Sequence, residues 1–134
     1  MSSIFNHVDC VRLYVSDLEQ GYDYYHNKLG LKLVWKSQKG MGFLMNDGIT
    51  ELVIQNEDKY QETDIKVSSV DSAVKEIESA GGKVVKGPFD IKIGRCAVIE
   101  DPWGNKMVIL DSTKGTFVTD EEGNIVGQNA PAHS

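Results

Sequence analysis

Glu51, Glu62 and Cys10 are among the residues of this 134-residue chain whose types could do chemistry. Two carboxylates brought close together raise one another's proton affinity, and one of them then suits a general base that removes a proton α to a carbonyl. Cys10 as a nucleophile needs an activating base, and none stands near it in sequence, so a small buried or half-buried thiol is expected. His7 lies at a strand start, His26 on the polar face of the first helix and His133 in the tail; solvent-exposed or structural roles are expected for all three. Cys10, Arg12 and Tyr14 share one face of a strand, as do Glu62, Asp64 and Lys66 in a later one. Glu51, Val53 and Gln55 share a face on a third. These residues are the candidate lining of a small-molecule site, polar and partly acidic. Arg12 and Lys66 would supply counter-charges, and Trp35, Phe43 and Met45 apolar walls. The alternative is cross-strand pairing of the same charges on a solvated face.

The elements that must position these residues come in two similar sets. Val11, Leu13 and Val15 alternate with Cys10, Arg12 and Tyr14, the period of a strand. Asp17, with Gln20 three residues on, is a helix N-cap, and Leu18, Tyr22, Tyr25 and Leu29 form a helical stripe closed by Gly30. Strands follow at 31–35, 42–45 and 51–54, with Asp47-Gly48 as a hairpin turn. The second set runs through Ile65 and Val67, the stripe Val70, Val74, Ile77 and Ala80, the stop Gly81-Gly82, and strands at 83–86, 95–100 and 106–110. An offset of 52 lays Leu13 on Ile65, Val15 on Val67, Leu18 on Val70 and Gly30 on Gly82. The spacing therefore predicts an α+β fold of two tandem βαβββ modules, about residues 7–56 and 62–112, within a domain spanning 1–112. Each helix covers one sheet face, and the second module helps to close the other into a cupped trough.

The net charge is −6 and the basic residues form no patch. Such a surface repels phosphate backbones and anionic lipids, so neither nucleic acid nor membrane is expected as a partner. Two cysteines, and no secretory apolar run after Met1, lead to the expectation of reduced thiols in a cytoplasm. Residues 113–134 read as a polar extension. Thr116 to Thr119 and Ile125-Val126 flank Asp120-Glu121-Glu122-Gly123-Asn124 as a hairpin that could pack on a partner subunit, and residues from Gln128 onward are expected to be disordered.

The stretches Val11-Arg12-Leu13-Tyr14-Val15-Ser16-Asp17-Leu18, Tyr24-Tyr25 through Leu29-Gly30-Leu31 and Val67 through Gly81-Gly82 carry a family resemblance, and Glu100-Asp101-Pro102-Trp103-Gly104-Asn105 is its most specific piece. In order and spacing the chain resembles the vicinal-oxygen-chelate superfamily, which includes glyoxalase I, bleomycin-resistance proteins and extradiol dioxygenases. The resemblance implies a homodimer, with troughs completed by both subunits. It also implies four strand positions that hold a divalent metal in the enzymes, where the ion acts as a Lewis acid. Here those positions are Cys10, Glu51, Glu62 and Val108. Both histidine positions are lost, valine has no lone pair, and a Cys-Glu-Glu set mixes soft sulfur with hard oxygens. The expectation is a small-molecule-binding protein without metal or cofactor, resembling the bleomycin-resistance branch. The alternative is a glyoxalase-type lyase or isomerase that uses a divalent metal, or Glu51 or Glu62 as base. Extradiol dioxygenase activity is not expected, because its two-His, one-Glu set is missing. Trp103, in the turn, either caps the pocket edge or is a plain surface aromatic.

Overall fold

The computed structural model describes residues 3–130. The order is β1 (Phe5–Tyr14), α1 (Leu18–Tyr22) running into a π-helical segment (Asp23–Lys28), β2 (Lys32–Lys36), β3 (Gly40–Leu44) and β4 (Glu51–Gln55). Then come β5 (Glu62–Val67), α2 (Val70–Ser79), β6 (Lys83–Ile91), β7 (Gly94–Glu100), β8 (Lys106–Leu110), β9 (Thr116–Thr119) and β10 (Ile125–Asn129). The chain is α+β, and βαβββ occurs twice. Two compact units carry the repeats. One holds residues 9–63 and 117–127, and the other holds 64–116 with 3–8 and 128–130.

In the first unit the strand order is β2-β3-β4-β1, with β1 parallel to β4 and the other pairs antiparallel. In the second it is β6-β7-β8-β5, with β5 parallel to β8. The two modules therefore share one topology. A right-handed βαβ crossover requires a covering helix, and the first strand of each module ends in a side-chain cap for it. Asp17 Oδ1 accepts from Gln20 N at 3.0 Å, and Ser69 Oγ from Ser72 N at 3.2 Å.

The second unit has the denser core. Val67, Val70, Ala73, Val74, Ala97, Ile99 and Ile109 are buried together under α2; of the stripe read from sequence, Val70 and Val74 belong to this core, Ile77 packs against it half-buried, and Ala80 at the helix end is exposed. Beneath its N-terminus lies a carboxylate that the sequence pattern did not single out. Asp111 is 2% exposed, and its oxygens accept from Val70 N at 2.8 Å, Arg95 N at 2.9 Å and Thr113 Oγ1 at 2.8 Å. Burial pushes its proton affinity up, but the hydrogen bonds from Val70, Arg95 and Thr113 outweigh that and hold it below the usual carboxylate range. A Cβ on Gly94 would lie 2.1 Å from Asp111 Oδ1, so glycine there is a packing requirement.

The first helix departs from its expected stripe. From Asp23 to Lys28 the winding is π-helical, and Leu29 N donates to Tyr24 O at 3.0 Å. Wider turns rotate later residues off a 3.6-residue stripe. Tyr22 and Tyr25 still meet Phe43, at ring centroids of 6.4 and 6.3 Å, but Leu29 is 57% exposed. The expected hairpin at residues 116–126 is present, and β10 runs on to Asn129, so Gln128 and Asn129 are ordered strand rather than tail. Gln128 Nε2 donates to Lys92 O and Lys114 O at 2.9 and 2.8 Å. The rest of the expected disordered tail, and His133, lie outside the described residues.

Asp111→Asn presents an amide to backbone donors and is expected to cost about 2–3 kcal/mol at pH 7. A depressed carboxylate contributes its stability above its unfolded value and loses it as pH falls through the folded one. The gap between wild type and variant should therefore narrow below about pH 4. Urea unfolding of both proteins at pH 7 and pH 3 measures it.

Candidate functional site

The candidate residues of the first unit meet on the sheet face opposite its helix. Register alternation sets this. Cys10 pairs with Glu51, Arg12 with Val53 and Tyr14 with Gln55 across β1 and β4, while Gly42 pairs with Val53 and Gly40 with Gln55 across β3 and β4. The alternate residues face α1, and Ile54 and Phe43 among them are fully buried.

Trp35 reaches this face because β2 slips by one residue. Leu33 pairs with Phe43 and Trp35 with Gly42, leaving Val34 as a bulge. The indole then lies flat on the β3 backbone. A Cβ on Gly42 would fall 1.9 Å from Trp35 Nε1, and one on Gly40 would fall 3.6 Å from the far edge of the ring. With two bare glycines as its floor, the indole extends over β3 to β4, where Nε1 donates to Glu51 Oε1 at 2.6 Å. A hydrogen bond to a carboxylate is of the strong kind. On the other side of the face Arg12 Nη1 pairs with Glu62 Oε2 at 3.3 Å, both side chains being largely shielded from solvent. Tyr14 lies under the Lys59 ammonium, 6.0 Å from its ring centroid. Cys10 is a buried thiol. Gln55, expected on the lining, instead ties the following turn, accepting from Glu57 N and Asp58 N and donating to Asp58 O.

Sequence reasoning placed Phe43 on the lining, and the structure moves it. Its neighbour Gly42 takes the Trp35 side, so Phe43 points to the helix and is 0% exposed against Tyr22 and Tyr25. The remaining candidates lie in the second unit. Asp64 pairs with Val108 and Lys66 with Leu110 across β5 and β8. Val108 is buried, and Lys66 borders a cavity of about 630 Å³ with Ser68, Ser112 and Thr116. Trp103 is 84% exposed, a surface aromatic. His26 is structural: its ring stacks on Tyr22 at 4.7 Å and Nδ1–H donates to Leu31 O at 2.7 Å.

The four positions at which the resemblance expects metal ligands do not form a donor set. Glu51 is engaged by an indole N–H and Glu62 by a guanidinium, and Val108 has no donor atom. Among the described residues, no three His, Cys, Asp or Glu side chains converge as a metal site would require. The residues present do not fit the ion.

The Asp101–Asn105 turn is a framework element. Asp101 Oδ1 accepts from Trp103 N and Asn105 N at 3.0 and 2.9 Å, and Oδ2 from Asn105 Nδ2 at 2.8 Å, with Gly104 at φ 91°. The same construction recurs at Asp120–Asn124. There Asp120 accepts from Glu122 N, Asn124 N and Asn124 Nδ2, and Gly123 sits at φ 88°. In both turns the Asn hydrogen bonds lower the Asp proton affinity.

Repeated βαβββ units define the class: a tandem-module α+β protein of the glyoxalase-like kind. The chain belongs to the Glyoxalase/Bleomycin resistance protein/Dioxygenase superfamily, whose family model matches residues 4–109. The structure resembles methylmalonyl-CoA epimerase from Mycobacterium tuberculosis (TM-score 0.62, 19% identity, covering 83% of this chain and 91% of that one). It also resembles a structure described as NAD-dependent benzaldehyde dehydrogenase from Legionella pneumophila (0.62, 20%, covering 77% and 97%). Homoprotocatechuate 2,3-dioxygenase from Brevibacterium fuscum is similar as well (0.61, 20%, covering 81% and 37%). At these identities the likeness is one of fold. In sequence, an uncharacterized protein of Mycolicibacterium smegmatis is 46% identical over 50 residues, 37% of this chain and 43% of that protein. The match thus spans less than half of that relative. Among the described residues no helix is long and apolar enough to cross a membrane.

Gly42→Ala drives a methyl into the indole and is expected to cost about 1–3 kcal/mol. It should also shift the Trp35 indole N–H resonance away from its carboxylate-bonded position and leave that of Trp103 in place, as read by 15N–1H NMR.

Proposed function

We propose that this chain is a metal-independent small-molecule-binding protein, similar in that respect to the bleomycin-resistance branch. Its ligand rests on the strand face that carries Arg12, Trp35, Glu51 and Glu62, and it works as a cytoplasmic homodimer. The commitment of both glutamates to protein donors carries this reading. A carboxylate held by a guanidinium would have to give up that partner before it could ligate an ion, and Val108 offers the ion nothing. What the face does offer is an aromatic plane, a carboxylate oriented by it and a paired charge. An apolar surface with a few placed polar groups is the usual form of a small-molecule site.

A second reading rests on Glu51. The Trp35 indole N–H orients its carboxylate. A carboxylate so placed suits a lyase or isomerase base acting on a carbon acid α to a carbonyl.

Metal analysis of purified protein, followed by a ligand screen by thermal shift with and without EDTA, tests the first reading. Less than 0.1 equivalent of metal and EDTA-insensitive ligand shifts are expected; a stoichiometric ion whose removal abolishes binding would overturn it. The second reading expects 2-oxo acids or acyl thioesters to exchange their α-proton with solvent deuterium. Glu51→Gln should slow that exchange at least 100-fold, and Glu62→Gln should not.

A further inference from the structure

The opposite side of the first unit carries a groove that the superfamily match does not account for, because part of its wall is built from residues beyond 109. Its volume is about 560 Å³, within the ~300–1,000 Å³ typical of small-molecule sites. Tyr22 and His26, stacked at 4.7 Å and 27°, form an aromatic wall, and Leu33 and Met41 form an apolar floor. The β2 bulge makes this floor. Leu33 pairs with Phe43 and Lys36 with Met41, so both look toward the helix, although their odd spacing would place them on opposite faces of a regular strand. The Nδ1–H···O bond to Leu31 leaves Nε2 as the acceptor of the neutral His26 ring.

The outer wall is the Asp120–Asn124 turn, which is seated on β2 by specific contacts. Lys36 N donates to Gly123 O at 2.7 Å, and Lys36 and Asn124 form a β-bridge. A Cβ at Gly123 would stand 3.3 Å from Leu33 and 3.5 Å from the Trp35 backbone. The turn's own hydrogen bonds hold its shape and present Glu121 and Glu122 to the groove, with Glu19 from α1. Lys32 and Lys36 line the groove from β2. An apolar floor is thus flanked by Glu19, Glu121 and Glu122 and by Lys32 and Lys36, with Lys36 bridged to the turn and its charge acting on Asp120, in a space larger than a single amino acid fills.

We propose that this groove binds a small zwitterion with an apolar body, of dipeptide size. Its ammonium lies against Glu121 and Glu122, its carboxylate against the Lys32 and Lys36 ammonium groups, and its side chains between Tyr22 and Leu33.

The probes are the dipeptide leucyl-phenylalanine, its N-acetyl form and its C-terminal amide, titrated into the full chain by NMR. The free dipeptide is expected to shift Tyr22, His26 and Leu33 and to bind at least 10-fold more tightly than either blocked form. Glu121→Gln with Glu122→Gln should weaken the free dipeptide and leave the N-acetyl form unchanged. Lys36→Gln, which keeps the backbone bond to Gly123, should weaken the free dipeptide and leave the amide unchanged. Equal affinities for the three probes, no binding of the free dipeptide, or shifts confined to the Trp35 face would each overturn the proposal. Unchanged unfolding temperatures in the variants confirm that the losses are local.

Discussion

The one-residue slip in β2 decides what both faces of the first unit can do. Without it, Leu33 and Trp35 would share a side, and Lys36 would face away from Leu33. With Val34 bulged out, Trp35 goes to the face opposite the helix while Leu33 and Lys36 remain beside it. A bulge re-aims every side chain beyond it, because strand alternation has a period of two. One extra residue thus supplies an aromatic plane to one face and a floor to the groove on the other.

The indole can lie flat only because β3 presents Gly40 and Gly42 on that face. Glycine weakens a strand by losing packing and chain entropy, about 0.5–1 kcal/mol relative to alanine. Here that cost is offset by burial of the indole surface and by the bond to Glu51. A hydrogen bond to a charged group contributes about 1.5–3 kcal/mol. The result is a carboxylate pinned in orientation by a rigid ring. Arg12 and Glu62 reach a comparable state by pairing charge. In the enzymes that the resemblance invokes, side chains at these positions face a cation; in this chain they face protein donors.

The turn that most strongly suggested the family is an element of architecture. Asp101 organises it by accepting from the backbone two and four residues on, and Asp120 does the same in the C-terminal extension. The D-x-x-G-N pattern is therefore a self-contained hairpin corner. In the first case it links β7 to β8. In the second it becomes a wall against β2, so a local motif acquires a role from where its hairpin lands.

The modules, their repeat, the cap at Asp17 and the glycine turns were legible in the residues themselves, while the matching cap at Ser69 came from the structure. Those features arise from interactions within a few positions of the chain and from periods of two and 3.6. The alternation that groups Cys10, Arg12 and Tyr14 was legible for the same reason. Tertiary structure alone decided that Phe43 belongs to the core, that Trp35 bonds Glu51, that Arg12 takes Glu62, and that Asp111 caps a helix 41 residues before it. Each depends on the register between strands distant in sequence, and a single bulge with no residue signature changes that register. A glutamate's neighbours are set by that pairing, and its identity alone does not say whether it will meet an ion, a guanidinium or an indole.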